Sequence, residues 1–440
     1  MNYYKFFSIN YIKKNKLLFN TILFFDIFLQ LIFIPIFIFL ILFLIVFFRS
    51  KNNKKFFFGP EPIINNKYWA NSLKEKNFQA ETWVVGYFSQ INKSSDFDKV
   101  IFAPLGFLKI YYFLISLVKF DIFVFSFEGG LLGKSIFWRL EPWILKKLNK
   151  KIIIIPFGYD FYQYSKIEDL KRRHTLISDY PERGSCEKKI SSKVNLWTKK
   201  ANVIIPGYLL EGLGRWDMLP YSPICIDTHN FKRLEKINQT DGSDPKNPII
   251  IVHSPNHRII KGSEFIINAI NKLKEEGYFL KFEILEKKQN SEVRNLLMKS
   301  DILIDQIHSG YALSAMEGMA SGCVVISNIT RKPYEDIMRT FSFLDECPIV
   351  SVDNFDLIDQ LRLLIQKPDL RNSLSVNSQE YVRKYHSYHS SCDMFLMVLK
   401  YFIKKINREE LLNYYHPILG KAHKSSSKII TELVKNKIEF

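Results

Sequence analysis

The chain has no cysteine pair. Cys186, Cys225, Cys323, Cys347 and Cys392 are scattered, odd in number and never spaced as Cys-x-x-Cys. Neither a disulfide framework nor a zinc site follows from them, and free thiols in a reducing cytosol are the reading this pattern supports. Acidic side chains are also scarce, 44 against 62 Lys and Arg, leaving a net charge of +18. Such an excess admits a nucleic-acid partner, but no concentrated basic run exists, and aromatic and basic residues do not alternate on one face. The lysines are dispersed and abundant together with Ile, Asn and Phe, as coding bias in an AT-rich genome produces. The expectation is therefore no nucleic acid; an anionic membrane surface or anionic substrate fits the charge better. Apolar residues are not lacking: at 47% of 440 residues they exclude wholesale disorder and leave room for two domains.

Leu17 to Phe48 is almost wholly Leu, Ile and Phe, interrupted by Asn20, Asp26, Gln30 and Pro35. It is too long for a signal-peptide core and lacks a small-residue cleavage site after it. One continuous helix of this length would measure roughly 48 Å at about 1.5 Å per residue, against a bilayer core of about 30 Å. It either spans with tilt and overhang or breaks at Pro35. Lys5, Lys13, Lys14 and Lys16 precede it, and Arg49, Lys51, Lys54 and Lys55 follow, so charge asymmetry names no orientation. Balanced flanks suit a re-entrant hairpin with both ends cytosolic. A second apolar stretch, Phe107 to Phe120, reads as a buried helix, with an interfacial helix touching lipid as the alternative.

Beyond residue 56, short apolar runs alternate with helical patterns, the signature of parallel α/β construction. The expected strands are Thr82–Gly86, Val100–Ala103, Asp121–Phe127, Lys151–Pro156, Asn202–Pro206 and Pro223–Ile226 in a first unit. Ile249–His253, Lys281–Leu285, Asp301–Asp305, Cys323–Ser327 and Pro348–Val350 follow in a second. The pattern divides into an anchor with basic flanks (1–56), an acceptor-side domain (57–230), an exposed linker (231–248), a donor-side domain (249–390), and C-terminal helices with a basic tail (391–440). Ligands of such sheets bind at the carboxyl ends of strands, so a cleft between the two units is expected.

Two segments of the second unit hold the chemistry. His253-Ser-Pro-Asn-His-Arg-Ile-Ile-Lys-Gly262 runs from a strand end into a helix start, and presents Arg258 and Lys261 as phosphate partners; taken alone, either is as readily an ordinary loop cation. Asp305-Gln-Ile-His-Ser-Gly-Tyr-Ala-Leu-Ser-Ala-Met-Glu-Gly-Met-Ala-Ser-Gly322 passes from a strand through a Gly-containing turn into a helix near Ala312. The free amides and positive dipole end at that start suit a diphosphate. Glu317, among small residues in the second turn, is placed to accept from ribose hydroxyls.

The succession His-Ser-Pro…Lys-Gly, then strand–Asp-Gln…Gly-Tyr…Glu-Gly-Met-Ala-Ser-Gly, then an apolar strand, resembles the group 1 retaining glycosyltransferases over Ile249 to Ser327. The first unit is similar through Phe127-Glu-Gly-Gly130, Phe157-Gly-Tyr-Asp160 and Gly214-Arg-Trp-Asp217. The resemblance implies a GT-B fold, two Rossmann-like domains facing a cleft, with a membrane helix or hairpin in front. In that family a Glu-x7-Glu pair brackets the nucleotide sugar. Glu317 matches the second acid, but Ser309 stands at the first. The family's phosphate-binding Arg and Lys lie five apart; Arg258 and Lys261 lie three apart, so Lys261 transfers more safely. His253 either approaches the donor or shapes the turn. Gly310, Tyr311 and Ala312 complete the donor loop, and Asp160 and Glu128 are candidates to orient the acceptor hydroxyl.

The implied activity is sugar transfer with retention from a nucleotide-sugar donor, with no metal and no separate cofactor. Fixed positive groups would stabilise the leaving diphosphate. The anchor points to a lipid-linked or glycolipid acceptor at the cytosolic membrane face, in cell-surface polysaccharide assembly. The rival is a catalytically silent scaffold of the same fold, which Ser309 favours. Two motifs are rejected: Gly130-Leu-Leu-Gly-Lys-Ser135 fails the Gly-x4-Gly-Lys-Ser register because Glu128 stands five before Gly133, and Asp96-Phe-Asp98 is a short acidic pair of a kind that chance produces often.

Overall fold

The computed structural model describes residues 16–47, 54–87, 92–101, 106–234, 237–286, 288–308, 310–422, 424 and 426–438. Two all-parallel sheets form its frame. The first contains β1 (Phe56–Phe58), β2 (Ala80–Val85), β3 (Lys99–Ile101), β4 (Ile122–Phe125), β5 (Lys151–Ile154) and β6 (Val203–Ile204), in the order β3-β2-β1-β4-β5-β6. The second contains β7 (Ile249–His253), β8 (Leu280–Ile284), β9 (Ile302–Gln306), β10 (Val324–Ser327) and β11 (Val350–Ser351), in the order β11-β10-β9-β7-β8. Both orders reverse at their first strand, as in doubly wound nucleotide-binding sheets, where ligands settle outside the strand ends at the reversal. The inner strands β1 and β4 are continuous apolar runs, buried at every position, as expected where helices cover both faces.

The central strand β1 was not expected: Phe56, Phe57 and Phe58 fall at the edge of the stretch read as anchor flank, and only pairing with β2 and β4 on both sides identifies them. Pro223–Ile226, expected as a strand, is irregular. Its Ile226 amide bonds the His386 carbonyl at 2.8 Å, and Pro223 has no N–H to extend a ladder. The segment 238–248 is fastened rather than free, since Asp301 accepts from the Asn238 amide at 2.8 Å and buried Arg371 donates to the Asn238 carbonyl at 2.8 Å. The C-terminal segment covers the exposed edge of β11, with Ser351 donating to the Asn436 carbonyl and Asn436 to Ile349. Covering an edge strand in this way blocks pairing with other chains. The helix Tyr388–Phe402 crosses back to pack on Ile64–Lys74 of the first domain.

In the apolar N-terminal segment, helices Lys16–Ile32 and Ile34–Phe47 meet at a 51° bend; no single helix among the described residues is long and apolar enough to cross a membrane, though the pair passes together by length and composition. The break falls at Phe33 rather than Pro35, because the proline ring strains the turn preceding it. Asp26 and Gln30, which looked like interruptions, dock the pair onto the first domain. Asp26 accepts from the amides of Gly106 and Phe107 at 2.9 and 3.1 Å, capping the helix Gly106–Lys119, while Gln30 donates to Asp26 and accepts from Ile136. A Cβ at Gly106 would lie 2.5 Å from Gln30 Nε2, so a larger residue there would push the glutamine amide aside. The helix Gly106–Lys119 buries Ile110, Phe113 and Leu117 and exposes Tyr111 and Val118. Replacing Asp26 by Leu should raise the apolarity of the segment yet loosen it, uncapping two amides at a cost of about 1 kcal/mol; faster hydrogen exchange at residues 106 and 107 would report this, and unchanged protection would refute the cap.

Candidate active site

The two sheets point their carboxyl ends at a shared seam, and the loops after β4, β5, β6, β7, β9 and β10 meet there. Tyr221 of the first domain stacks on Tyr311 of the second at 4.6 Å and 18°, and Asp179 accepts from the Ile260 amide at 2.8 Å. Tyr180 packs on His257 with centroids 4.6 Å apart.

The donor loop places its expected residues as follows. His253 is fully buried, with Nδ1 2.7 Å from the Ile304 carbonyl and Nε2 2.8 Å from Ser263 Oγ. A carbonyl only accepts, so Nδ1 donates and Nε2 accepts from the hydroxyl; burial holds the ring neutral, with its pKa pushed down to about 4. Both ring nitrogens are thus engaged within the second domain. Arg258 is drawn outward by Glu264 and Glu286, at 2.8 and 2.9 Å. Lys261 is buried against the Asp305 carboxylate and donates to Ser314 Oγ at 3.2 Å. Asp305 also accepts from the Ala312 amide at 3.1 Å and from Ser314. The chain's own carboxylate thus sits at the start of helix Leu313–Ala320, where the sequence reading put a diphosphate. An anion binding there has to compete with it.

Ser309 lies outside the described residues. Gly310 adopts φ +57, and its carbonyl accepts from Gln306 at 3.0 Å and from Ser327; a Cβ would crowd Tyr208 and the Tyr221 hydroxyl. Buried Tyr311 bonds Tyr381 and His386 of its own domain at 3.1 and 2.9 Å, while its ring stacks on Tyr221 of the first. Glu317, one turn beyond Ser314, lies beside Arg294 and near Tyr68 of the first domain; burial pushes its pKa up to about 7 against the pull of Arg294.

The first-domain candidates are committed to structure. Asp160 is buried and accepts from the amides of Phe127, Phe157 and Gly158 at 2.9, 2.9 and 3.0 Å, stapling the loops after β4 and β5. Burial still pushes its pKa up to about 7. Burial likewise opposes ionisation of Glu128, but Lys193 at 2.6 Å, with Lys134 and Arg183, outweighs it and holds the carboxylate below its usual range. The rejected motifs also serve packing: Glu141 takes the amides of Gly130 and Leu132, Asp96 pairs with Lys67, and Asp98 pairs with Lys74 while accepting from Thr82.

The cations at the seam are others. Arg172, from helix Leu170–Asp179, is 1% exposed and bonds Glu211 and, across the seam, Tyr334 at 2.7 Å. Its Nε and Nη2 have no hydrogen-bond partner of acceptable geometry among the described residues, and Tyr162 and Tyr334 flank it with ring centroids 5.6 Å away. Arg331, just beyond β10, pairs with Asp169 of the first domain and donates to the His308 carbonyl; burial and the charge of Arg172 lower its pKa. Arg172, Tyr208, Tyr221, Gly310 and Tyr334 line one small cavity at the seam. Through Asn328 and Arg331 it adjoins another of about 180 Å³ lined by Asp169, Lys171, His308, Thr330 and Asp353. His308, which lines this space, is buried with no hydrogen-bond partner for Nδ1 among the described residues, and burial lowers its pKa to about 4. Neither Lys261 nor Glu317 lines either cavity. Arg331 was findable by rule, since it follows a strand's carboxyl end; Arg172 lies inside a polar helix and carries no such signal.

No protein-family model matches the sequence, and no curated protein does. Solved structures do. Anabaena HepE, determined in complex with UDP-glucose, aligns over 79% of this chain and 99% of its own at 11% identity, with a TM-score of 0.52. A glycosyltransferase of Rickettsia africae aligns over 80% of this chain and 100% of its own at 14% identity, with a TM-score of 0.51. At such identities the likeness establishes the architecture: two parallel α/β domains arranged as in GT-B glycosyltransferases.

Glu317 supplies a stability signature. Its pKa is about 7 in the fold against about 4.3 in an unfolded chain. The protonated carboxyl therefore favours folding below the unfolded value, and that contribution is lost as pH rises through 7. Glu317→Gln should gain thermal stability over the parent between pH 5 and pH 8 in a melting series. A constant difference across that range would show that the carboxylate is not held in a low-polarity site.

Proposed function

We propose that the protein is a glycosyltransferase that binds a nucleotide-sugar donor at the seam between its two domains. The observation that carries this reading is the Arg172 guanidinium, buried between the sheets with Nε and Nη2 lacking a partner of good geometry among the described residues, the Tyr162 hydroxyl beside it and Arg331 nearby. Leaving a buried donor unsatisfied costs about 1–3 kcal/mol, and more when the group is charged. Phosphate oxygens are the acceptors that best offset such a cost, and Arg presents them a planar fork. The seam lies at the carboxyl ends of both sheets, the expected ligand position in this architecture. Glu317, across from Tyr68, is the group proposed to take the ribose, with Lys261 released toward the donor when an anion displaces Asp305.

Retention at the anomeric carbon and independence from metal rest on the resemblance of the donor segment to group 1 enzymes. A lipid-linked or glycolipid acceptor at the cytosolic face of a membrane rests on the apolar N-terminal pair, and polysaccharide assembly is the setting that combination suits. The silent-scaffold reading keeps one observation in its favour: Asp305 already neutralises the family-matched lysine.

Thermal unfolding of the purified chain with a panel of nucleotide sugars tests the proposal. One donor at a hundredfold excess over its Kd should stabilise by about 2.7 kcal/mol. Arg172→Ala and Arg331→Ala should each weaken that donor roughly 10- to 100-fold, as loss of charged hydrogen bonds of about 1.5–3 kcal/mol predicts. Membranes supplied with labelled donor should yield labelled lipid extract. Stabilisation by no nucleotide sugar, in a protein that melts cooperatively, would leave the scaffold.

A further inference from the structure

We infer that the N-terminal helix pair lies in the plane of one leaflet, as part of the first domain's surface, and that this surface binds an anionic bilayer. The inference rests on the membrane reading above and specifies its geometry. Asp26, Gln30, Phe33, Phe37, Ile41 and Leu44 recur every three or four residues, and together they form one stripe facing the domain. The stripe continues through the bend: Asp26 caps Gly106, Phe33 meets Phe107 at 4.5 Å, and Phe37 meets Phe137 at 4.8 Å. From Asp26 to Leu44 is about 27 Å of helix held against a water-facing domain. What remains free on either side is far short of the about 20 apolar residues a crossing needs. A pair fixed in this way cannot stand upright in a bilayer unless it leaves its domain.

The outward face has the composition of a lipid contact. Every exposed side chain from residue 22 to residue 47 is apolar, and Phe24, Phe39, Val46 and Phe47 are about two-thirds exposed or more. Monomeric soluble proteins do not leave apolar patches this continuous. Beside it, the segment that receives Gln30 and Phe37 exposes Ile136, Leu140 and Trp143 at helical spacing, with exposed Arg139, Lys146 and Lys147 between and after them. Aromatic and basic side chains at an apolar margin are the signature of the headgroup level. The acids are withdrawn: within 16–47 the only one is Asp26, and within 134–147 the only one is Glu141, and both are buried on backbone amides. The remaining charge on this face is positive, which selects anionic headgroups over a neutral surface.

Two measurements on the full chain test this. In sealed membrane vesicles, an impermeant maleimide should label native Cys186 on the domain and Asn10→Cys in a Cys186→Ser background from the same side. Labelling from opposite sides would overturn the in-plane arrangement. In flotation with phosphatidylcholine vesicles, adding phosphatidylglycerol should increase binding, and Arg139→Glu/Lys146→Glu/Lys147→Glu should reduce that increase about tenfold or more. Binding indifferent to anionic lipid, or a face covered instead by a second copy (seen as dimer in detergent with no flotation), would overturn the lipid assignment. Nucleotide-sugar stabilisation of the triple variant should equal that of the parent, so failure of the docking surface and failure of the transferase reading give different results.

Discussion

A guanidinium kept dry between two parallel sheets is the constraint around which this protein is arranged. Arg172 reaches the seam from the first domain, bonds Tyr334 of the second and is enclosed by tyrosine rings. Arg331 makes the reciprocal crossing to Asp169. Two like charges at one buried seam repel, and the first domain answers both with carboxylates, Glu211 for Arg172 and Asp169 for Arg331. The domains are consequently joined by charge as well as by the Tyr221–Tyr311 stack, and an anion entering the seam would alter both ties at once. Binding and domain arrangement are coupled through the same few side chains.

Asp305 places a second restraint on the donor side. It holds Lys261, Ser314 and the Ala312 amide together, and so supplies internally the negative charge that a helix start and a buried lysine favour. A lysine buried at 5% exposure without that partner would be an uncompensated buried charge. The arrangement keeps the loop formed without a ligand, and an anion would gain contacts there only by replacing a carboxylate already in place. Such an exchange favours diphosphates, which offer more charge and more acceptor oxygens than one carboxylate.

The first domain shows how polar residues in an apolar run can be structural. Asp26 and Gln30 do not interrupt the segment; they are the residues by which it is attached, and Gly106 is small so that they can approach. The same helix Gly106–Lys119 that they cap packs beside β4, whose following loop is stapled by Asp160 near the seam. The apolar surface and the first-domain side of the seam thus belong to one domain.

The alternation of apolar runs made two parallel α/β units legible, because strands covered on both faces and amphipathic helices leave distinct periods in the sequence. Ile249–His253 coincides with its expected bounds for that reason. β1 was hidden, since three phenylalanines beside an apolar segment carry no period of their own. Residue types alone nominated Lys261, Asp160 and Glu128 as free chemical groups, while the fold paired each with a distant partner. Arg172 gave no local sign at all. Composition and spacing are properties of neighbours in the chain, and they decide which elements form. Whether a charge is neutralised, buried or aimed at a ligand depends on groups far along the chain, 162 residues away in the case of Arg172 and Tyr334, and only folding brings those together.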